Sequence, residues 1–74
     1  MSAKPPVHEV RMGRVKACVW KNETPQGTRH NVTVSRLFKD GEHWKESRSF
    51  GRDELPLLSK VVDLAYLWIY EQKE

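Results

Sequence analysis

The sequence predicts an α+β fold, in which an antiparallel meander of three to four β-strands precedes one C-terminal amphipathic helix (β-β-β-β-α). Residues 7–50 alternate apolar and polar side chains, and clusters of glycine and proline divide them. Residues 54–71 instead repeat apolar side chains at helical spacing. We therefore expect one domain over residues 7–74, preceded by a disordered polar lead-in at residues 1–6.

The first extended region runs from Val7 to Lys21, where polar and apolar side chains alternate. Gly13 is expected to bend this region and to divide it into two strands, because glycine inside a strand often marks a bulge. The two faces are predicted to carry Arg11, Gly13, Val15, Ala17 and Val19 on one side, and Met12, Arg14, Lys16, Cys18 and Trp20 on the other.

Two turns are predicted between the later strands. Residues 22–27 contain Pro25 and Gly27 in turn positions, and residues 39–42 contain an Asp-Gly pair that favours a tight hairpin. The strands that flank these turns are expected at His30–Lys39 and His43–Phe50.

A helix is predicted from Glu54 to Glu71, with Asp53 as the N-cap and Pro56 in the first turn. Its apolar stripe covers about half of the circumference, whereas a helix resting on one sheet needs a stripe of only ~100°. The excess predicts a second copy of the chain packed against the helix. The residues expected at this dimer interface are Leu57, Val61, Leu64 and Trp68.

Composition limits the possible functions. The chain has 74 residues of which 38% are hydrophobic, so the core must be thin. Cys18 is the single cysteine, which excludes an internal disulfide and fits a reducing compartment. The three histidines lie far apart in sequence, so we expect no metal and no cofactor. No apolar run resembles a signal peptide or a membrane span, and we expect a cytoplasmic protein without membrane contact.

Residue types needed for catalysis are not grouped in the sequence. Cys18 has no evident base beside it, and a cysteine on a strand face without a pocket is expected to be inert. The four glycines are scattered singly and form no phosphate-binding loop. We therefore expect that the protein is not an enzyme.

Charge is distributed unevenly along the chain. Residues 1–52 contain eleven Lys/Arg and five Asp/Glu, a net charge of +6, whereas residues 53–74 contain two and five, a net charge of −3. A basic sheet favours a polyanionic partner. Cations interleaved with aromatic rings on one sheet face are typical of proteins that bind single strands. The residues predicted to bind nucleic acid are Arg14, Lys16, Trp20, Arg36, Lys39, Trp44, Lys45 and Arg48, with Arg29 beside them.

Other interpretations stay open at this point. Trp20 and Trp44 are also compatible with core or rim positions, and cations on exposed strands also discourage edge-to-edge aggregation. The alternatives are a small protein-interaction module that uses spare helix surface or a sheet edge, and a small dimeric protein whose sheet binds some other anion.

The order of features resembles the single-stranded-DNA-binding domain of the transcriptional positive cofactor four family. The resemblance rests on a Gly-x-hydrophobic strand at residues 12–19, a Val-x-Val strand with an arginine and an aromatic residue at 32–38, a Lys-Asp-Gly turn at 39–42, and a third strand at 44–50. It extends over about residues 9–71. Residues 31–36 and 49–58 also resemble short, uncharacterised bacterial proteins of the same build.

The resemblance implies a β-β-β-β-α protomer, a two-fold dimer packed through its helices, and single strands that run across the curved sheets. Together with the charge pattern it predicts a non-catalytic, sequence-tolerant binder of single-stranded DNA or RNA that acts as a homodimer, with a role like that of a transcription cofactor.

Overall fold

The computed structural model describes residues 5–72 and confirms the predicted fold class. Four strands form one antiparallel sheet in the order β1-β2-β3-β4, followed by a short 3₁₀ segment and one helix. Their bounds are β1 His8–Met12, β2 Val15–Thr24, β3 Gly27–Asp40, β4 His43–Ser47, the 3₁₀ segment Arg52–Glu54 and α1 Leu55–Glu71. Of the predicted lead-in, residues 1–4 lie outside the described residues.

Gly13 divides the first extended region into β1 and β2, as predicted. Its φ of +58° lies in the left-handed region, and the two strands pair directly on either side of the turn, with Met12 opposite Val15. Directly opposed residues share a sheet face, so Met12 lies on the face of Val15 and Arg11 lies on the face of Lys16. The predicted faces are therefore wrong for Arg11 and Met12, before the turn, and right for the residues of β2 after it.

The β2–β3 hairpin is longer than predicted. Asn22 and Glu23 belong to β2, where they pair with residues 29 and 28 of β3, and the turn itself is reduced to Pro25 and Gln26. The Thr24 hydroxyl donates a 2.7 Å hydrogen bond to the carbonyl of Gly27, which holds the end of the hairpin together.

The β3–β4 turn contains the predicted Asp-Gly pair, with Gly41 at a φ of +67°. However, β4 ends at Ser47 rather than at Phe50. The backbone N–H of Ser49 donates to the Ser47 hydroxyl over 3.0 Å, which bends the chain away from the sheet.

The entry to α1 differs from the prediction that Asp53 is the N-cap. Asp53 lies inside the 3₁₀ segment, and the carboxylate of Glu54 instead accepts a 2.6 Å hydrogen bond from the backbone N–H of Gly51. The helix ends at Glu71, as predicted. No helix within residues 5–72 is long and apolar enough to cross a membrane.

The core lies between α1 and the first half of the sheet. Val15, Ala17 and Val19 of β2 are fully buried against Val61 and Ala65 of α1. The helix packs mainly over β1 and β2 and touches β3 less. Because α1 covers one side only, the opposite side of the sheet carries no second layer among the described residues.

The residues predicted at a dimer interface lie largely within the chain's own core. Val61 has no exposed surface, Leu57 and Trp68 pack against the core cluster, and Leu64 is half-buried. The apolar stripe is wide, but its centre faces the sheet of the same chain. The large apolar side chains that α1 leaves exposed are Leu55, Val62, Tyr66, Leu67 and Tyr70.

Candidate functional site

The side of the sheet that faces away from α1 forms the candidate site, and we call it the open face. Strand register defines its members, because directly paired residues share a face and neighbours along a strand alternate. The open face carries Glu9, Arg11, Lys16, Cys18, Trp20, Asn22, Thr24, Gly27, Arg29, Asn31, Thr33, Ser35, Leu37, Lys39, Trp44 and Glu46.

An ion pair spans the middle of the open face. Lys16 Nζ lies 3.1 Å from Glu46 Oε2, and the two side chains reach across β3 from β2 and β4. The hydrogen bond to Glu46 raises the pKa of Lys16, and the same bond lowers the pKa of Glu46. Both groups are therefore held in their charged forms at neutral pH.

Trp20 is fixed against the neighbouring strand. Its indole Nε1 donates a 2.9 Å hydrogen bond to the hydroxyl of Thr33, and the ring is half-buried. This bond restrains the ring at the surface of the sheet, where one part of it stays accessible.

Trp44 is the more accessible of the two aromatic residues, with 65% of its surface exposed. The ammonium of Lys39, its partner in the β3–β4 register, lies 6.0 Å from the ring centroid. This distance is at the limit of a cation–π contact. A flat ring and a cation thus lie side by side at the β4 edge of the open face.

An open depression of about 410 Å³ lies beside Trp20 and the Lys16–Glu46 ion pair. Its walls include Lys16, Trp20, Glu46 and Arg48, and Cys18 lies against it. Arg48 follows directly after β4, where the chain bends away from the sheet. The depression therefore combines an aromatic wall with charged groups of both signs.

Cys18 departs from the expectation of a cysteine on a strand face without a pocket, because it lies beside the depression. It lies on the open face, as predicted, but is only 8% exposed. Burial raises the pKa of its thiol, and the nearby ammonium of Lys16 opposes this effect only in part. The side chains around the depression cover the small thiol even though no secondary-structure layer does, and the raised pKa keeps it in the unreactive thiol form.

Two predicted binding residues lie on the opposite side of the sheet, so the prediction of one common face is wrong for them. Arg36 pairs with Val15, and Lys45 pairs with Phe38, which places both on the α1 side. Arg36 Nε donates to the Ser49 carbonyl over 2.9 Å.

Lys45 and Arg36 are also engaged by their own neighbours on that side. Lys45 Nζ lies 3.0 Å from the Asp40 carboxylate, and the Arg36 guanidinium lies 5.6 Å from the ring centroid of Phe38. Arg14 is exposed in the β1–β2 turn. The structure therefore brings together Lys16, Trp20, Lys39, Trp44 and Arg48 on or beside the open face.

Several residues of the open face were not predicted. Arg11 joins it because the turn at Gly13 changes the alternation, and Thr33 and Glu46 join it as partners of Trp20 and Lys16. Continued alternation through Thr33 was visible in the sequence, whereas the pairing of Lys16 with Glu46 depends on a register that local patterns do not contain.

Two histidines take part in packing around Trp68. The His8 ring stacks on the indole with centroids 4.6 Å apart, and His30 meets it edge-on at 6.0 Å. Over residues 5–72 there is no group of three or more His, Cys, Asp or Glu side chains that could hold a metal ion.

No protein-family model, curated protein or solved structure matches this chain.

Proposed function

We propose that the open face binds single-stranded DNA or RNA without catalysis and without strong sequence preference. The observation that carries the proposal is the position of Trp20 and Trp44 on a sheet face that α1 leaves uncovered, with cations beside them. Bases stack on exposed aromatic rings whatever their sequence, and a cationic track neutralises the phosphates.

The charge of the open face supports a polyanionic ligand. Arg11, Lys16, Arg29 and Lys39 lie on it against two carboxylates, those of Glu9 and Glu46. Arg14 and Arg48 lie at its border, in the β1–β2 turn and after β4. One carboxylate is already neutralised by Lys16, so the remaining charge is mainly positive.

The geometry favours single strands over a duplex. The central apolar stripe of α1 is buried in the core. A protein that recognises a duplex needs a helix or β-ribbon free to enter a groove. An extended single strand can instead lie across a sheet and present its bases to the rings. A cytoplasmic, transcription-cofactor-like role and a homodimer belong to the same proposal.

Titration with a short oligothymidine tests the proposal. Binding is measured by anisotropy of a labelled oligonucleotide over a series of salt concentrations. We expect affinity to fall steeply with salt, with a log–log slope of about 0.7 for each phosphate contact. Absence of binding to every homopolymer at low salt would reject nucleic-acid binding.

A protein-interaction module is the second candidate function, and the exposed stripe on α1 favours it. Val62, Tyr66 and Tyr70 follow each other at four-residue spacing and are all exposed, and the two tyrosine rings lie 6.1 Å apart. A partner that binds here would be insensitive to salt and would be lost on Tyr66→Lys, whereas oligonucleotide binding would be unaffected by that change.

A further inference from the structure

Only part of the β3 edge that faces β4 is hydrogen-bonded to a neighbouring strand. β2 pairs with residues 27–36 of β3 on one side, but β4 pairs with residues 36–40 alone on the other. The chain bends away after Ser47, and no backbone hydrogen bond joins residues 48–50 to β3 in the described part of the chain. Within residues 5–72, the edge of β3 from Thr28 to Val34 is therefore left without a neighbouring strand.

The direction of the free backbone groups follows from the register. The N–H of Leu37 donates to the carbonyl of Arg14 on the β2 side, and antiparallel strands alternate the side to which successive residues bond. The backbone N–H and C=O groups of odd-numbered β3 residues thus bond to β2. Those of even-numbered residues point in the plane of the sheet toward the β4 side. The N–H and C=O groups at the free edge belong to Thr28, His30, Val32 and Val34.

This segment has the properties of a strand that accepts a partner. Residues 28–34 contain three β-branched residues in succession, Val32-Thr33-Val34, and one charged residue, Arg29. They contain none of the lysines or prolines with which natural sheets block an edge. Val32 is also exposed, so its side chain is accessible beside its free backbone groups.

We propose that this edge pairs in antiparallel fashion with the same edge of a second copy of the chain, about a two-fold axis at Asn31. In this register Thr28 lies opposite Val34 of the second copy and His30 lies opposite Val32, so every free backbone group of both edges finds a partner. On the open face, Arg29 lies opposite Thr33, and no like charges meet.

A second copy fits this edge better than a foreign peptide does for two reasons. The self-paired register satisfies the free backbone N–H and C=O groups of both strands at once. It also pairs every residue from Thr28 to Val34. Because the two-fold axis runs perpendicular to the sheet, both open faces also lie on the same side. The dimer then presents one continuous surface of eight strands, with both helices on its other side.

Proline substitution separates this interface from the alternatives. Val32→Pro removes an N–H that has no partner among residues 5–72, so the fold is expected to persist while the dimer is lost. Lys21→Pro is the matched control, because it places the same residue on the opposite edge of the sheet, beyond the end of β1. Tyr66→Lys tests a dimer formed through α1 instead.

Light scattering with size exclusion gives the mass of each variant. We expect a dimer of twice 8.7 kDa for the native chain, Lys21→Pro and Tyr66→Lys, and a monomer for Val32→Pro. A native chain that is monomeric at millimolar concentration would overturn the proposal. So would a dimer that survives Val32→Pro in a folded protein, or one that is lost on Tyr66→Lys.

A disulfide test does not depend on how proline is tolerated. Asn31 would face its own copy in a non-hydrogen-bonded pair, with Cα atoms about 4.5 Å apart, a separation that a disulfide spans. In a Cys18→Ala background, Asn31→Cys should form a cross-linked dimer under mild oxidation, whereas Arg29→Cys, two residues away on the same face, should not. Equal cross-linking of both variants, or of neither, would overturn the register. Neither test requires nucleic acid, so failure of this interface can be told apart from failure of oligonucleotide binding.

Discussion

Lys16 and Glu46 form an ion pair across β3 on the open face, with Nζ and Oε2 3.1 Å apart. The pair joins β2 to β4, which are not neighbours in the sheet. Within this pair, Glu46 engages Lys16, the cation nearest the centre of the proposed binding surface. A phosphate that approaches Lys16 must therefore compete with the carboxylate of Glu46.

Glu46→Gln is expected to strengthen oligonucleotide binding. The change removes the competing charge, frees the ammonium of Lys16, and is expected to increase the salt slope by up to about 0.7. Asp63→Asn makes the same change of charge on the exposed surface of α1 and serves as the control. Anisotropy titrations over a salt series measure both variants. Weaker binding by Glu46→Gln would mean that Lys16 does not contact phosphate.

Lys39 and Lys45 give a matched test of the two sheet faces. They lie on adjacent strands, but Lys39 is on the open face and Lys45 is on the α1 side, paired with Asp40. We expect Lys39→Ala to lower the salt slope by about 0.7 and Lys45→Ala to leave it unchanged. Equal effects from the two substitutions would show that charge acts at long range rather than through contact on the open face.

The contrast between these two lysines shows what the sequence could predict. Alternation within a strand correctly placed Lys16, Cys18 and Trp20 opposite the buried residues of β2. Assigning residues of different strands to one face needs the register of each hairpin, which depends on turn length. Grouping Lys45 with Trp44, its neighbour in β4, was wrong already by alternation, because successive residues of a strand lie on opposite faces.

The burial of a residue by side chains from other elements was harder to predict than the alternation of side chains along a strand. The order of elements, the division at Gly13 and the Asp-Gly hairpin all follow from local preferences, and they were predicted. The side chains that line the depression beside Cys18 come from all four strands, so no local pattern reveals the burial of this residue. The inward direction of the helix stripe likewise depends on where α1 rests on the sheet.

Trp44→Ala is expected to weaken oligonucleotide binding by about 1–3 kcal/mol without changing the salt slope, because stacking releases no counterions. The indole is 65% exposed, so its removal should have little effect on the free energy of unfolding. Tyr70→Ala removes an exposed ring from α1 and is the control. An unchanged affinity for Trp44→Ala would exclude this ring as a stacking platform.

Alkylation of Cys18 by iodoacetamide should be slow compared with that of glutathione at the same pH. The thiolate is the reacting form, and burial both raises the pKa of this thiol and limits access to it. The rate should therefore reach its maximum at higher pH than for an exposed thiol, and saturating oligothymidine should slow it further. Mass spectrometry of time points measures the rate. A rate equal to that of glutathione would contradict the burial of Cys18.

Val61 and Val62 are adjacent on α1 but differ in what they contact. Val61 is fully buried against β2, whereas Val62 is 43% exposed. We expect Val61→Ala to lower the free energy of unfolding by about 2 kcal/mol, because the lost methyl groups leave a cavity in a thin core. Val62→Ala should cost less than about 0.5 kcal/mol, as for other exposed positions.

Urea unfolding followed by circular dichroism at two protein concentrations measures both effects. The loss caused by Val61→Ala is expected to be the same at both concentrations, since Val61 packs within its own chain and contributes no surface to a partner. A loss that appears only at the higher concentration would instead place Val61 at an interface between copies. The apolar stripe of α1 centred on Val61 would then face a second chain rather than the sheet of its own chain.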